Sequence, residues 1–211
     1  LDDVVREALK DQDYFEAFGG GVTVSGGEPL CQYRAVAALF RQLQQEGVHT
    51  ALDTCGLATR EAFTAVLPYA DHVLFDVKFT DPGLHLKHTE RSNERILENF
   101  AAVADYVRTV NCAETTQAQR NIRLWIRTPL IPGATATAEN ITAVSNYICG
   151  HLLDVTERWE LCAFNNACKS KYEKLEQPWA YEGTPLLQQS DVDALKEAAL
   201  ASRFPDDRLV V

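Results

Sequence analysis

The chain has 211 residues, 46% of them hydrophobic, and carries a formal net charge of −10. This length is enough for one sizeable core, so we expect a single domain over residues 1–211. The acidic balance argues against nucleic-acid binding, and no run of about 18 apolar residues is present that could span a membrane. Six scattered cysteines and the lack of a recognisable secretory signal favour reduced thiols in a cytoplasmic protein.

Strand-like and helix-like segments alternate along the chain. In chain order, the hydrophobic periodicity predicts a helix over Leu1–Phe18, a strand over Val22–Ser25, a helix over Tyr33–Gln45, a strand over His49–Thr54, a helix from about Arg60 and a strand over His72–Lys78. The second half continues with a helical or looped segment from Asp81, a helix over Asn93–Val110, a strand over Arg123–Ile131, a helix over Thr137–Ile148, a strand over Trp159–Phe164, a helix with a capping box of Ser190 and Asp193, and a short strand over Arg208–Val211. Strands separated by helices indicate βαβ units and an α/β protein with a parallel sheet. The pattern alone leaves open whether this sheet is open or forms a closed or partial barrel.

Polar and small residues gather where five of the predicted strands end. In chain order these are Ser25-Gly26-Gly27-Glu28-Pro29, Asp53-Thr54-Cys55-Gly56, Asp76-Val77-Lys78, Arg127 followed by Pro132-Gly133, and Phe164-Asn165-Asn166. In parallel sheets and barrels, binding sites form at the carboxyl ends of the strands. We therefore expect these residues to lie along one edge of the sheet.

The two glycines after the first strand favour close approach of a ligand. At Gly26 and Gly27 free backbone carbonyls could accept hydrogen bonds from an ammonium group, which Glu28 could also bind. The alternative is a plain strand-to-helix turn. The triplet Gly19–Gly21 fits a turn before the strand, and because no Lys-Ser follows it is not a phosphate-binding P-loop.

The charged residues of the later strand ends suit a zwitterionic ligand. Asp53 and Asp76 could bind ribose hydroxyls or a small cation. Lys78 and Arg127 could pair with a carboxylate, Arg127 in a bidentate way. An amino acid joined to a nucleoside would satisfy this set. The structural alternatives are a helix cap for Asp53 and an edge ion pair for Asp76 and Lys78.

Several stretches of the chain match one protein family in the same order. They are GGGVTVSGGEPL at residues 19–30, LDTCG at 52–56, FDVK at 75–78, NERILEN at 93–99, WIR at 125–127, IPG at 131–133 and KSKY at 169–172. Together they resemble the activating enzymes of glycyl radical enzymes, which are radical S-adenosylmethionine (SAM) proteins. The resemblance covers nearly the whole chain and implies a partial (β/α)6 barrel of the radical SAM type.

The resemblance also implies the residues that bind SAM. In the family, the equivalents of Gly26, Gly27 and Glu28 contact the methionyl amine. The equivalents of Asp76, Lys78 and Arg127 make further contacts with SAM. The equivalents of Asp53, Thr54 and Asp76 lie beside a monovalent cation. Two positions depart from the family. Cys55 stands where asparagine is common, and Asn165 stands where histidine is common near the adenosine.

Cofactors and partners follow from the same resemblance. In the family, three cysteines of a CxxxCxxC motif hold a 4Fe–4S cluster that chelates SAM. An electron, from a donor such as flavodoxin or ferredoxin, cleaves SAM to a 5′-deoxyadenosyl radical, which takes a hydrogen from a glycine of the partner, a glycyl radical enzyme. This chain lacks the motif. We therefore expect the cluster ligands to lie in a preceding N-terminal segment and the 211 residues alone to be inactive.

Other functions remain open at this stage. A radical SAM enzyme that acts on a small molecule or peptide would share the GGE stretch and the barrel, but the matches around LENF and KSKY favour an activating enzyme. A non-catalytic barrel that binds SAM or a partner would explain the missing motif. A phosphate-binding barrel enzyme is disfavoured because no glycine-rich anion loop lies near the last strands.

Overall fold

The centre of the molecule is a six-stranded parallel sheet, as seen in a computed structural model that describes residues 1–113 and 121–211. In sheet order its strands are β1 (Gly21–Val24), β2 (His49–Thr54), β3 (His72–Asp76), β4 (Arg123–Leu130), β5 (Thr156–Ala163) and β6 (Leu209–Val210). Each strand pairs with the next one in the chain. This order is the winding of a (β/α) barrel. Within the described ranges β1 and β6 pair with one neighbour each, so the sheet is open, and the predicted α/β partial barrel is confirmed.

The helices connect successive strands. Those formed by the described residues are α1 (Asp2–Ala8), α2 (Gln12–Phe18), α3 (Tyr33–Gln45), α4 (Arg60–Val66), α5 (Pro82–Thr89), α6 (Glu94–Asn111), α7 (Ala138–His151), α8 (Lys169–Lys174) and α9 (Gln189–Leu200). Short 3₁₀ turns lie at Leu9–Asp11, Pro29–Gln32, Leu67–Tyr69 and Asp206–Arg208. In the part of the chain that the structure covers, no helix combines the length and apolar character needed to cross a bilayer.

The two faces of the sheet have different surroundings. In β4, Ile126 is fully buried, whereas its neighbours Trp125 and Arg127 are only partly buried. The buried face packs on α3, α4, α6 and α7, and within this core Phe75 stacks on Phe100 with 4.5 Å between ring centroids. Burial of such a side chain contributes about 1.5–3 kcal/mol. The opposite face stays partly open and carries charged side chains.

The predicted capping box of Ser190 and Asp193 is wrong. Helix α9 begins at Gln189, so Ser190 already lies inside its first turn. The backbone N–H of Gln188 donates to Asp191 Oδ2 at 3.1 Å, which makes Asp191 the acidic partner of the cap. The capping box therefore has the predicted spacing of three residues but lies two residues earlier in the chain, at Gln188 and Asp191. Asp193 instead accepts a hydrogen bond from the side chain of Gln189 at 2.9 Å.

Other differences concern the ends of elements. The predicted N-terminal helix is divided by the 3₁₀ turn Leu9–Asp11. Strand β5 begins at Thr156 rather than Trp159 because its pairing with β4 starts at Leu124. Strand β3 ends at Asp76 and leaves Lys78 in the following loop. Helix α3 and strand β2 have their predicted bounds.

Candidate functional site

A row of charged side chains crosses the open face of the sheet. Asp76, Arg127 and Glu160 are register partners on β3, β4 and β5, so parallel pairing puts their side chains next to one another. Asp53 lies on the same face at the end of β2. The exposed fractions of these side chains are 21% for Asp53, 29% for Asp76, 28% for Arg127 and 24% for Glu160. Such partial burial strengthens electrostatic contacts relative to water.

Arg127 is at the centre of this charged row. Its Nη1 donates to Asp53 Oδ2 at 3.0 Å, and its Nε lies 3.7 Å from Glu160 Oε2. Ser25 Oγ, at the end of β1, donates to the same oxygen of Asp53 at 3.0 Å. The Nε atom of Arg127 is buried and has no hydrogen-bond acceptor among the described residues. The thiol of Cys162 also interacts with the guanidinium. Because Nε is buried, an anionic ligand would approach the exposed part of the guanidinium, beside Asp53 and Glu160.

A second cation follows β3. Lys78 Nζ donates to Asp76 Oδ2 at 3.4 Å, and both side chains are 29% exposed. The pKa of Asp76 lies above its usual value. Burial is the main cause of the rise and the charge of Asp53 adds to it, whereas the charges of Lys78 and Arg127 lower the pKa in part. The Asp76 carboxylate is therefore under-stabilised and would gain from a hydroxyl or cation ligand.

Glu28 joins the loop after β1 to the end of β2. Its carboxylate accepts hydrogen bonds from the Leu30 N–H at 3.0 Å, from Thr54 Oγ1 at 2.8 Å and from the Cys55 N–H at 2.9 Å. Thr54 Oγ1 in turn accepts from the Gly56 N–H at 3.0 Å. Both carboxylate oxygens of Glu28 are thus engaged within the protein. An ammonium ligand would use the lone pairs that remain.

Gly26, Gly27 and Asn165 lie at the exposed rim of the site. Gly26 has φ of +136°, a backbone conformation that L side chains rarely adopt. Apart from chain neighbours, no atom lies within 4 Å of the place of a Cβ at Gly26 or Gly27, so a ligand can reach this backbone. The Oδ1 of Asn165 accepts from the Ala167 N–H at 2.9 Å and shapes the turn after β5. In the described residues, Asn165 makes no hydrogen bond to the charged row.

The cysteines do not assemble into a metal site in the part of the chain that the structure describes. Cys31, Cys112 and Cys168 are exposed, and Cys55, Cys149 and Cys162 are partly buried. Burial and then the hydrogen bond to Glu28 raise the pKa of Cys55 to about 11, so its thiol is protonated at neutral pH. Burial also raises the pKa of Cys162, which lies beside Arg127. Protonated thiols are poor metal ligands.

Sequence reasoning missed the roles of four residues that support this edge. Glu160 is one, and the others are three buried asparagines whose Nδ2 groups each donate to two backbone carbonyls. The acceptors are Gly56 and Ala58 for Asn99, Phe79 and Thr80 for Asn93, and Lys78 and Thr135 for Asn140. Asn93 and Asn99 stand at the two ends of the NERILEN stretch, but no local pattern indicates which carbonyls the asparagines bind, because an acceptor lies as far as 62 residues away in sequence.

A cavity of about 530 Å³ lies at the opposite, amino end of the sheet. Two of its three arginines are committed to carboxylates, and the third, Arg208, donates to the backbone carbonyls of Leu153 and Thr156. Arg108 Nε donates to Asp154 at 2.6 Å, and Arg123 Nε donates to Glu157 at 2.8 Å. These cations are thus engaged, and the cavity lacks the open glycine backbone that adjoins the charged row at the carboxyl edge.

Comparison with known proteins gives a consistent result. The profile of the Radical SAM superfamily matches residues 1–116. The chain is 35% identical over 179 residues to the (2S)-3-sulfopropanediol dehydratase activating enzyme of Klebsiella oxytoca, an alignment that covers 85% of this chain and 52% of that enzyme. It is 32% identical over 204 residues to the pyruvate formate-lyase-activating enzyme of Staphylococcus epidermidis, covering 94% of this chain and 74% of that enzyme.

A solved structure supports the same comparison. A domain of pyruvate-formate lyase-activating enzyme from Bacteroides vulgatus superimposes with a TM-score of 0.58 at 27% identity. The superposition covers 85% of this chain and 94% of that domain. The chain itself spans about half the length of the Klebsiella enzyme, since the alignment covers 52% of it.

Proposed function

Because this chain belongs to the radical SAM superfamily, among the activating enzymes of glycyl radical enzymes, we propose that it forms the SAM-binding part of an enzyme that installs a glycyl radical on a partner protein. The observation that carries the proposal is the charged row, in which the partly exposed guanidinium of Arg127 lies between the carboxylates of Asp53 and Glu160. The Lys78–Asp76 pair lies beside it. Charges of both signs beside an open glycine backbone suit a ligand with an ammonium group, a carboxylate and a ribose.

The proposed roles follow from what each group can donate or accept. The residues that we assign to SAM are Gly26, Gly27, Glu28, Asp53, Thr54, Asp76, Lys78, Arg127 and Asn165. Lys78 and Arg127 would bind the methionyl carboxylate, and the exposed backbone at Gly26 would accept from the methionyl ammonium. Asp53 and Asp76 would take ribose hydroxyls or a monovalent cation. The shared task of these groups is to orient the ligand and keep water from it.

The family implies SAM and a 4Fe–4S cluster as cofactors. Together these cofactors supply one-electron chemistry directed at a glycine of the partner protein. The six cysteines of this chain, all of them described, do not group into a metal site, so we propose that the cluster ligands lie in another segment of the full-length protein. The electron would come from a donor such as flavodoxin or ferredoxin.

The proposal is tested with the protein expressed from its complete gene and reconstituted anaerobically with iron and sulfide. We expect it to release 5′-deoxyadenosine from SAM under dithionite. The absence of this product, despite a bound cluster observed by EPR, would overturn the enzymatic proposal and favour a non-catalytic barrel. Formation of a glycyl radical EPR signal on an added partner distinguishes an activating enzyme from a radical SAM enzyme that acts on small molecules.

Two variants test the assignment of the site. Asp76→Ala and Lys78→Ala should each weaken SAM binding about tenfold, since each removes a charge-assisted hydrogen bond. Lys196→Ala is the matched control, because this lysine forms an ion pair with Asp206, 3.1 Å away, outside the charged row. Wild-type SAM affinity in both Asp76→Ala and Lys78→Ala would remove these residues from the site.

A further inference from the structure

The side chain of Asn140, in the first turn of α7, links two loops at the carboxyl edge. Asn140 is 4% exposed. Its Nδ2 donates to the Lys78 carbonyl at 2.9 Å and to the Thr135 carbonyl at 3.1 Å. The helix itself is capped by Thr137, whose Oγ1 accepts from the Asn140 backbone N–H at 3.2 Å. The amide is therefore not needed for capping and ties the loop after β3 to the loop after β4.

Lys78 lies at a point where strand pairing is ending. Strand β3 ends at Asp76, and the Val77 N–H still donates to the Arg127 carbonyl at 2.8 Å. At the next residue, the Lys78 carbonyl is held by Asn140. The Lys78 side chain turns back toward Asp76, with 3.4 Å between Nζ and Oδ2. Movement of the Lys78 backbone would thus move its ammonium group within the charged row.

The other two buried asparagines bind different loops. Asn99 donates to the carbonyls of Gly56 and Ala58, and Asn93 donates to those of Phe79 and Thr80. Of the three, Asn140 is the one that contacts a residue carrying a charge of the candidate site. This contact is the reason to assign Asn140 a role in ligand binding in addition to holding loops.

We propose that Asn140 is a positioning residue for SAM, which fixes the Lys78 backbone so that the lysine ammonium meets the ligand carboxylate. The inference rests on the proposed function. Positioning needs the two N–H donors of an amide, because the side chain binds two backbone carbonyls at once, one of them buried. Aspartate has the same size but would direct an acceptor at these carbonyls, and serine keeps one shorter donor.

The test compares SAM affinity with folding stability in the reconstituted protein. SAM is titrated calorimetrically into the wild type, Asn140→Asp and Asn140→Ser, and urea unfolding is measured for each. Ser145→Ala is the matched control, since Ser145 is fully buried on the same helix and donates to the Ala199 carbonyl at 2.6 Å. We expect Asn140→Ser to raise the Kd for SAM about tenfold and Ser145→Ala to change it less than about twofold, at similar losses of stability.

A double-mutant cycle separates positioning from general damage. If Asn140 acts through Lys78, then Asn140→Ser costs no further affinity when Lys78→Met is already present. An equal loss in both backgrounds would overturn the inference, as would an equal loss for Ser145→Ala. These results would leave the proposed function intact, whereas a wild-type protein that does not bind SAM would overturn the proposed function and this inference together.

Discussion

Arg127 reaches Asp53 across an intervening strand, with 3.0 Å between Nη1 and Oδ2. Strand β3 lies between the strands that carry these two residues. Two strand spacings amount to about 10 Å, a distance that requires a long side chain. The ion pair therefore ties β2 to β4 directly on the open face, independently of the backbone ladder.

The planar guanidinium of Arg127 should matter more than its charge. Arg127→Lys keeps the charge but loses the fork that can serve Asp53 and a ligand carboxylate at once, so we expect SAM affinity to fall about tenfold. Arg123→Lys is the control on the same strand, because Arg123 pairs with Glu157 at 2.8 Å near the amino end. Calorimetric titration of SAM measures both variants, and equal losses would contradict a specific role for Arg127.

Glu28 should contribute to stability as well as to binding. Glu28→Gln removes the charge that accepts hydrogen bonds from Leu30, Thr54 and Cys55 and turns an NH₂ group toward these donors. We expect the free energy of unfolding to fall by about 1–3 kcal/mol in urea titrations. Glu61→Gln is the control, since exposed Glu61 accepts a hydrogen bond from the Tyr33 hydroxyl at 2.6 Å and should cost less. Similar costs for the two variants would refute a clamping role for Glu28.

Gly56 should tolerate no side chain. It has φ of +79°, and a Cβ there would lie 2.8 Å from Cε1 of the buried Phe75 ring. Gly56→Ala should therefore lose at least about 2 kcal/mol of stability from strain and overpacking combined. Gly133→Ala isolates the strain, because Gly133 has φ of +74° with no atom within 4 Å of the added Cβ, and it should cost about 1 kcal/mol. If urea unfolding gave the same loss of stability for Gly56→Ala and Gly133→Ala, the Phe75 ring would have moved to make room for the added methyl group.

His72 should make stability depend on pH in the mildly acidic range. Burial, and then the charge of Arg123, lower the pKa of His72 to about 4. The unfolded chain then binds one more proton between the unfolded value of about 6.5 and the folded value, so His72 destabilises the fold as pH falls through this window. The slope of unfolding free energy against pH should be shallower in His72→Phe, by at most about 1 kcal/mol per pH unit. Parallel curves for the two proteins would show that the pKa of His72 is the same in the folded and the unfolded chain.

The sequence predicts elements well where one strong local pattern decides them. Helix α3 and strand β2 follow from clear hydrophobic periodicity. The position of Asp76 beside Arg127 follows from the rule that the carboxyl ends of parallel strands lie at one edge of the sheet. The links between strands could not be predicted in this way. The contact of Ser25 with Asp53 spans 28 residues and depends on the register of two strands, which no local pattern fixes.

The role of a residue is harder to predict than its location. Glu28 was expected at the edge and is there, but its bonds to Thr54 and Cys55 depend on how β1 and β2 meet. The capping box of α9 is formed by Gln188 and Asp191, and the sequence pattern missed it because glutamine is not among the residues that usually cap a helix.

The strands of the sheet become shorter toward both of its margins. In the described part of the chain β4 and β5 have eight residues each, whereas β1 has four and β6 has two. An unpaired strand edge is a template on which another polypeptide can add itself, and long flat edges promote aggregation. Strand β6 covers β5 at Trp159 and Glu160 alone. The outer edge of β5 is therefore the longest stretch of strand in the described part of the chain that lacks a partner strand on one side, and it is the place where an added polypeptide strand could pair.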